Sequence, residues 1–357
     1  MKIGIQRNPR GIALIIVMLV IVVLSTSAAL FAYSMKVETT LARNVQAETE
    51  MDVAALEGLE NARYFLGQQL NIPGEAGFDA LNQPWATGLG GTNELLTGMS
   101  LRNNKHGRGE WSARIVDLER RVNVNYANRD VLERAFDLLQ VDLIDKSTIV
   151  DSIEDWRDRN QNPQVNGAES DFYLRLPQPY FAKDGPIDDL SELLLVRGVT
   201  TDLYWGPGRT NRSFEVGQAA VVNDPSTISG AWGTVGLVDL FNTVGRMQIN
   251  INTASREVLQ LIPGIDEGFA KEIVEKRAGL DNVDGTEDDT PFHSPGELAA
   301  VFGPGTIVAQ LTRFCGVRSV TFEVQVDVRV DQYKRRLVAL LVRSGPRNVQ
   351  LFDMHWE

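Results

Sequence analysis

Two runs of oxygen-bearing side chains are the places where residue types and spacing in this sequence suit a chemical task. The first runs Glu154-Asp155-Trp156-Arg157-Asp158-Arg159-Asn160-Gln161-Asn162 and resumes as Asn166-Gly167-Ala168-Glu169-Ser170-Asp171. Its acceptors recur along the chain, pass a glycine turn and end on further carboxylates. Calcium takes about six to eight oxygen ligands in flexible geometry, which an irregular loop of this kind supplies. The second run, Asp281-Asn282-Val283-Asp284-Gly285-Thr286-Glu287-Asp288-Asp289, holds five carboxylates in nine residues. Crowded like this, they repel one another unless a counter-ion intervenes. Neither run follows EF-hand spacing, and the plainer alternative is a pair of solvated surface loops.

Other site chemistries are missing. The three histidines, His106, His293 and His355, lie far apart and share no metal-ligand spacing. There is no Gly-x-Ser-x-Gly elbow, no Walker loop and no cysteine–histidine pairing. Gly88-Leu89-Gly90-Gly91 reads as a flexible loop. The one cysteine, Cys315, lies beside Phe314 and Val317 and reads as a small core residue. No enzymatic role is expected. The net charge of −12 disfavours nucleic acid, and it becomes three charges more negative without Lys2, Arg7 and Arg10.

The acidic runs belong to a duplicated unit. Val122-Asn123-Val124-Asn125-Tyr126-Ala127-Asn128-Arg129-Asp130-Val131-Leu132 matches Ile249-Asn250-Ile251-Asn252-Thr253-Ala254-Ser255-Arg256-Glu257-Val258-Leu259. Each copy continues into a helix, with Ile149-Val150 and Ile273-Val274 in corresponding places, and then into an acidic loop. Each ends on Glu-Leu-x-x-Val-x-Gly, at 192–198 and at 297–303. Asn128 and Ser255 read as helix N-caps followed by acidic first turns. The unit repeats over 122–198 and 249–303, inside a mostly helical insertion at 122–303. Residues 199–248, with Trp205 and Trp232, read as irregular or as short strands.

What carries this insertion is a rod and a sheet. Residues 1–11 are short and basic, and residues 12–35 carry no charge. At helical rise those 24 residues reach roughly 36 Å, enough to cross a membrane's hydrocarbon core. The positive charges precede the span, so the N-terminus is expected in the cytoplasm. A cleaved signal peptide ending near Ser25-Thr26-Ser27-Ala28-Ala29 is the rival reading. Against it, the apolar run resumes at Leu30-Phe31-Ala32-Tyr33. Helical periodicity then continues through Val37, Leu41 and Val45 to Met51, Ala55, Leu59, Ala62 and Leu66, with no proline between residues 10 and 72. One helix is expected, in lipid over 12–35 and amphipathic over 36–70.

Residues 71–110 read as loop, Trp111 to Leu118 as a strand, and 320–331 as a strand with valines on one face. A turn at Asp331-Gln332 returns the chain as a strand over Tyr333 to Val342. The expected fold is α+β, a long N-terminal helix packed on a small antiparallel sheet. The body spans 71–121 and 304–357, interrupted by the helical insertion.

A basic leader ending in glycine before a hydrophobic helix, Arg10-Gly11-Ile12-Ala13-Leu14-Ile15-Ile16-Val17, resembles the type IV prepilins. The resemblance implies that a prepilin peptidase cuts after Gly11 and leaves Ile12 at the new N-terminus. Most pilins carry glutamate at the fifth mature position, where this chain has Ile16. A carboxylate in the bilayer needs a neutralising partner, so its absence suggests a subunit with nothing above it to pair with. That departure and the order of the parts resemble the minor pseudopilin K family of type II secretion. Asp155-Trp156 with Asn166-Gly167-Ala168-Glu169, and Ile249-Asn250-Ile251-Asn252-Thr253-Ala254, are the other residues that carry the likeness. It implies a structural subunit in the bacterial inner membrane, single-pass, with its bulk in the periplasm. There it would partner pseudopilins I and J, and initiate or cap the pseudopilus that exports folded proteins.

The resemblance also implies calcium in the helical domain. The first ligand set carried over is Asp155, Asp158, Asn160, Glu169 and Asp171. The second is Asp281, Asp284, Glu287, Asp288 and Asp289. Two rival functions stand beside this reading. One is a minor pilin-like component of a type IV pilus or competence system. The other is a membrane-anchored DNA receptor, because Leu261-Ile262-Pro263-Gly264-Ile265 between two helices is a helix-hairpin-helix turn. DNA-binding versions close that turn with a second glycine whose amides hold phosphate, whereas here Asp266 and Glu267 follow.

Overall fold

The computed structural model describes residues 9–91, 94–207, 235–303 and 311–357. The leader charges Lys2 and Arg7, and Trp232 with most of the 199–248 stretch, lie outside the described residues. Helix α1 runs Pro9–Gln69, 61 residues and about 90 Å. Side chains 13–46 are all exposed. From Ala47 onward one stripe is buried: Ala47, Met51, Ala54, Ala55, Leu59, Ala62, Phe65 and Leu66. Steps of three and four keep that stripe on one side.

The chain then forms α2 (Pro84–Thr87), β1 (Asn104–His106) and β2 (Gly109–Asp117). The inserted part follows as β3 (Val122–Asn123), α3 (Arg129–Leu138), α4 (Leu143–Arg157), α5 (Ser170–Tyr173), α6 (Thr201–Trp205), α7 (Leu237–Leu240) and β4 (Phe241–Asn242). It continues through β5 (Ile249–Asn250), α8 (Arg256–Leu259), α9 (Glu267–Arg277), α10 (Ala299–Phe302) and β6 (Cys315–Gly316). Strands β7 (Thr321–Val330), β8 (Tyr333–Gly345) and β9 (Asn348–Trp356) complete the body.

The main sheet is antiparallel throughout, ordered β1-β2-β7-β8-β9. On β7, Phe322, Val324, Val326, Val328 and Val330 are buried beneath α1, while Glu323, Gln325, Asp327 and Arg329 face away. The helix comes close at Gly58, where an added Cβ would stand 2.6 Å from Val326 Cγ1 and 3.0 Å from the Trp111 ring. Asp331 turns β7 into β8 at φ +53°, a conformation Asp tolerates better than most residues. Two strands of the main sheet exceed the sequence reading. β1 pairs through a Gly107 turn inside what read as loop, and β9 pairs Asn348–Trp356 along β8 although most of its residues are exposed. The Gly88–Gly91 run is also more ordered than expected. Gly88 caps α2, and Gly90 is packed so closely that a Cβ would meet the Leu96 carbonyl at 1.9 Å.

The inserted part leaves the sheet at Asp117 and rejoins it at Thr321, and it encloses a core of its own. That core also takes in Phe78 and Ala80 from before 122 and Leu311, buried Cys315 and Val317 from beyond 303. Its interior shows the duplication. Asn123 Oδ1 accepts from the Asn125 N–H, and Asn250 Oδ1 from the Asn252 N–H. Asn125 clasps the backbone of Ile187, donating to its carbonyl at 2.9 Å and accepting its N–H at 2.8 Å. Asn252 does the same to Phe292 at 2.9 and 2.8 Å. Arg157, the last residue of α4, donates to the Val124 carbonyl, and Arg277, the last residue of α9, donates to the equivalent Ile251 carbonyl. Asn128 and Ser255 cap α3 and α8 by accepting from Val131 and Val258. Gly198 and Gly303 close the units at φ +87° and +75°.

Candidate metal centre

Helix α4 ends with Asp151 and Asp155 one turn apart, both turned inward at 3% and 0% exposure. Their environments differ. Asp151 is bonded by the Arg129 guanidinium and by the Asn166 N–H at 3.0 Å. Burial draws its carboxyl upward, but these donors outweigh it and hold the group below the usual carboxylate range. Asp155 has no guanidinium; it is met by backbone groups, the Gln164 N–H at 3.1 and 3.2 Å to its two oxygens and the Ala168 N–H. Burial prevails there, with help from Asp158, and pushes it up.

Glu169 enters from the far side of the loop, 3% exposed, with neither carboxylate oxygen taking a hydrogen bond. Burial, then Asp155, Asp158 and Asp184, push it up to about 7. One oxygen each from Asp155, Asp158 and Glu169 lie within 4.8 Å of one another. Among the described residues this is the one group of three or more such side chains close enough to share an ion. A buried carboxylate without donors is costly, and a hard divalent cation among these three groups would remove that cost. The residues present therefore fit a hard divalent cation such as calcium, which Asp155, Asp158 and Glu169 would hold.

The loop's geometry protects this convergence. At Gly167 a Cβ would stand 1.9 Å from Asp155 Oδ2, so no other residue fits without moving the carboxylate. Arg197 donates to the Gly167 carbonyl at 3.1 Å and lies 4.7 Å over the Phe172 ring. Trp156 packs edge-on to Tyr173 at 5.3 Å, and Tyr173 stacks on Tyr180 at 5.2 Å. The other two members of the first expected set are exposed, Asn160 next to Asp158 and Asp171 outside the group of three. Asn160 is exposed and engaged in local turns, its N–H donating to Asp158 Oδ1 and its own Oδ1 accepting from Asn162. Asp171 is exposed in the first turn of α5.

Sequence spacing missed Asp184, which arrives from a separate segment. It adopts φ +52°, its Oδ1 is buried without a partner, its Oδ2 accepts from Gln161, and its charge acts on Glu169. A lone aspartate in Ala182-Lys183-Asp184-Gly185 gave no signal at the sequence level, since the acidic run ends at Asp171.

The second run is arranged differently. Asp284 is buried and bound at both oxygens by Arg277, Nε to Oδ1 at 2.8 Å and a terminal nitrogen to Oδ2 at 2.6 Å. Asp288 accepts from the N–H groups of Leu280 and Asp281 at 2.8 and 3.1 Å and from the Thr286 hydroxyl at 2.8 Å. The Thr286 hydroxyl foremost, then the Leu280 N–H, holds Asp288 low. Asp289 accepts from the Gly285 N–H at 2.7 Å, and burial pushes it up. Asp281 accepts from the Val283 N–H, and Glu287 is exposed. Their carboxylates are met by a guanidinium, N–H groups and a hydroxyl, and no three of them converge as the first set does.

The helix-hairpin-helix turn is present between α8 and α9, with Gly264 at φ +96° and Leu261, Ile262 and Ile265 buried. Asp266 caps α9 and accepts the Phe269 N–H at 2.9 Å. A carboxylate thus occupies the end of the helix where a phosphate would bind.

A long apolar-headed helix laid along an antiparallel sheet, with a duplicated helical part inserted between two adjacent strands, defines a pilin-like protein with a helix-hairpin-helix insertion. Known proteins place it more closely. The family model described as type II secretion system protein K matches residues 112–205, and a helix-hairpin-helix model matches 244–303. Type II secretion system protein K of Pectobacterium carotovorum is 29% identical over 56% of this chain and 61% of its own length. The match to the protein of that name from Klebsiella pneumoniae also spans 61% of the relative. The protein of that name from Pseudomonas aeruginosa is 27% identical over 98% of this chain and 94% of its own. In fold, the chain matches one from the GspK-GspI-GspJ complex of the enterotoxigenic Escherichia coli type 2 secretion system. That match has TM-score 0.61 and 19% identity, over 88% of this chain and 99% of the other. The chain is thus similar to type II secretion system protein K, and it spans about three fifths of the length of the first two of these relatives.

Proposed function

We propose that this chain is a minor pseudopilin at the tip of the type II secretion pseudopilus, a structural rather than a catalytic subunit. The observation that carries this reading is the division of α1. Residues 13–46 are all exposed, uncharged as far as Met35, while from Ala47 onward one stripe is buried under the chain's own sheet. A stretch of that length and composition is suited first to lipid and then to the helices of neighbouring subunits. The inserted part lies beyond the C-terminal end of α1, because Phe78 and Ala80, just past the helix, enter its core. Bulk at that end would obstruct a further subunit above, which supports a capping or initiating role. The solved relative is described with GspI and GspJ, and the corresponding pseudopilins are the proposed partners here.

On this reading a prepilin peptidase cuts between Gly11 and Ile12. The basic leader stays in the cytoplasm, the inner membrane holds the span, and the folded mass lies in the periplasm with calcium in the first acidic loop. The DNA-receptor alternative is opposed by Asp266 at the hairpin. Co-expression with I- and J-type pseudopilins and purification through a tag on this chain tests the proposal. A stable three-part complex, and Ile12 as the N-terminal residue of the chain from membranes, are expected. Failure to retain either partner, with the protein folded, overturns it.

A further inference from the structure

The two edges of the main sheet are guarded differently. Strand β1 closes one edge with three residues and an exposed lysine, Lys105. A short edge and a charge of that kind discourage further pairing. Strand β9 closes the other edge with nine residues and holds no lysine, arginine or proline. The direction of its backbone groups follows from its pairing with β8. The Glu357 N–H donates to the Arg336 carbonyl at 2.8 Å, and the Arg336 N–H donates to the Glu357 carbonyl at 3.4 Å. Along an antiparallel pair, bonded and unbonded positions alternate. His355 and Asp353 therefore bond to β8, while Trp356 and Met354 turn their N–H and carbonyl groups outward. Phe352 is a bulge with no partner on β8, and past it Leu351 and Val349 face outward by the same alternation. The Val349 carbonyl does so visibly, accepting from Arg63 of α1 at 3.2 and 2.9 Å.

The side chains of β9 sort into two rows. Leu351, Met354 and Trp356 stand opposite Leu341, Ala339 and Leu337 of β8, which are buried under α1. Opposed residues share a face, so this row lies on the helix side of the sheet. Leu351 is 42% and Met354 43% exposed there, and Phe352 at the bulge is 75% exposed. The other face carries Asp353, His355 and Glu357, all exposed, with His355 at 3.6 Å from Asp353 and 3.9 Å from Glu357. Open backbone groups between an apolar row and an acidic row suit an extended chain that adds itself to a sheet. In such pairing, main-chain bonds give the affinity and alternate side chains give the choice of partner.

We propose that β9 is a docking edge for an extended strand of another protein, one that alternates apolar with basic residues. The main chain of that strand takes the outward groups of Met354 and Trp356. Its apolar residues lie against Leu351 and Met354, and its lysines or arginines meet Asp353 and Glu357, because like charges placed opposite each other would repel. The edge belongs to the pilin-like body and uses none of residues 13–46 of α1 and none of the cation loop. It therefore does not depend on the secretion reading.

Hydrogen exchange of the full chain in detergent micelles tests this, read amide by amide by mass spectrometry with electron-transfer fragmentation. The probe is a synthetic peptide of alternating valine and lysine with capped ends. In the free chain the Met354 and Trp356 amides are expected to exchange fast, and the Asp353 and His355 amides slowly. The peptide is expected to slow Met354 and Trp356 at least about tenfold, and a valine–glutamate peptide to leave them unchanged. Asp353→Lys is expected to weaken that preference or reverse it. Met354→Pro removes an outward N–H and no bond to β8, and is expected to abolish the protection of Trp356. If the proline variant does not fold, Asp353→Lys, at an exposed position, decides alone. Met354 and Trp356 amides already slow in the free chain overturn the proposal. So do equal protection by both peptides, protection by neither, or an unchanged preference in Asp353→Lys. Protection that grows with protein concentration and needs no peptide means that a second copy takes the edge, which overturns it too.

Discussion

At Glu169 two demands on one carboxyl conflict, and the conflict sets how the loop responds to pH. Without an ion, burial and the neighbouring carboxylates favour the protonated form up to about 7. Calcium requires the anion. Binding must therefore expel a proton below neutrality, and calcium affinity is expected to fall by about tenfold per pH unit on acidification below pH 7. Calorimetry in buffers of different ionisation enthalpy reads both the affinity and the released proton. In the ion-free protein the sign reverses. Stability is lost as pH rises from about 4.5 to about 7, so Glu169→Gln is expected to raise the ion-free melting temperature at pH 8 while abolishing the gain from calcium. Gly167→Ala separates shape from charge. It removes no ligand, yet its Cβ would stand 1.9 Å from Asp155 Oδ2. Affinity at least about tenfold weaker is expected, since 1.4 kcal/mol of displaced coordination already costs that much.

Among the elements, α1 and the sheet are held by fit. Gly58 lets the helix approach where Val326 and Trp111 leave no room for a methyl group, and Gly58→Ala is expected to cost about 1–3 kcal/mol by overpacking. Denaturant titration followed by tryptophan fluorescence measures it. Much at this scale was legible beforehand. The buried stripe of α1, the alternation of β7, the turn at Asp331 and the N-caps Asn128 and Ser255 follow from local periodicity and local hydrogen bonding, which a sequence displays directly. β9 was not legible, because only Val349 along it is fully buried and the strand lacks alternation. β1 was hidden in polar turn-like residues. At the candidate site, Asp155, Asp158 and Glu169 were visible as an acidic run. The exposure of Asn160 and Asp171, and the arrival of Asp184, depend on how distant segments meet. Arg277 likewise stands only seven residues before Asp284, but a sequence does not say which carboxylate a guanidinium will take.

For the whole molecule, two cores mean two reporters. Trp85 and Trp111 belong to the helix-and-sheet core and Trp156 to the inserted one. Ligand binding stabilises the part that binds, by about 2.7 kcal/mol at a hundredfold excess over Kd. A chelator is therefore expected to lower the transition reported by Trp156 by several degrees and to leave the Trp111 signal nearly in place, measured in variants that keep one tryptophan each. Coincident shifts in both signals would mean that the junction between the two cores transmits the ion's contribution in full.

The interruption of the sheet also dictates an order of events. Strand β2 pairs with β7 along its whole length, Asp117 opposite Phe322, so residues about two hundred positions apart must meet before the central ladder exists. The helical units close over shorter separations, Asn125 to Ile187 and Asn252 to Phe292, and shorter-range contacts form first. A chain made N-terminus first would thus close much of its inserted part before the valines of β7 arrive to cover Ala54, Leu59 and Phe65. The underside of α1 must wait for the last forty residues, and during that interval the growing chain is one long sticky rod with a nearly closed head.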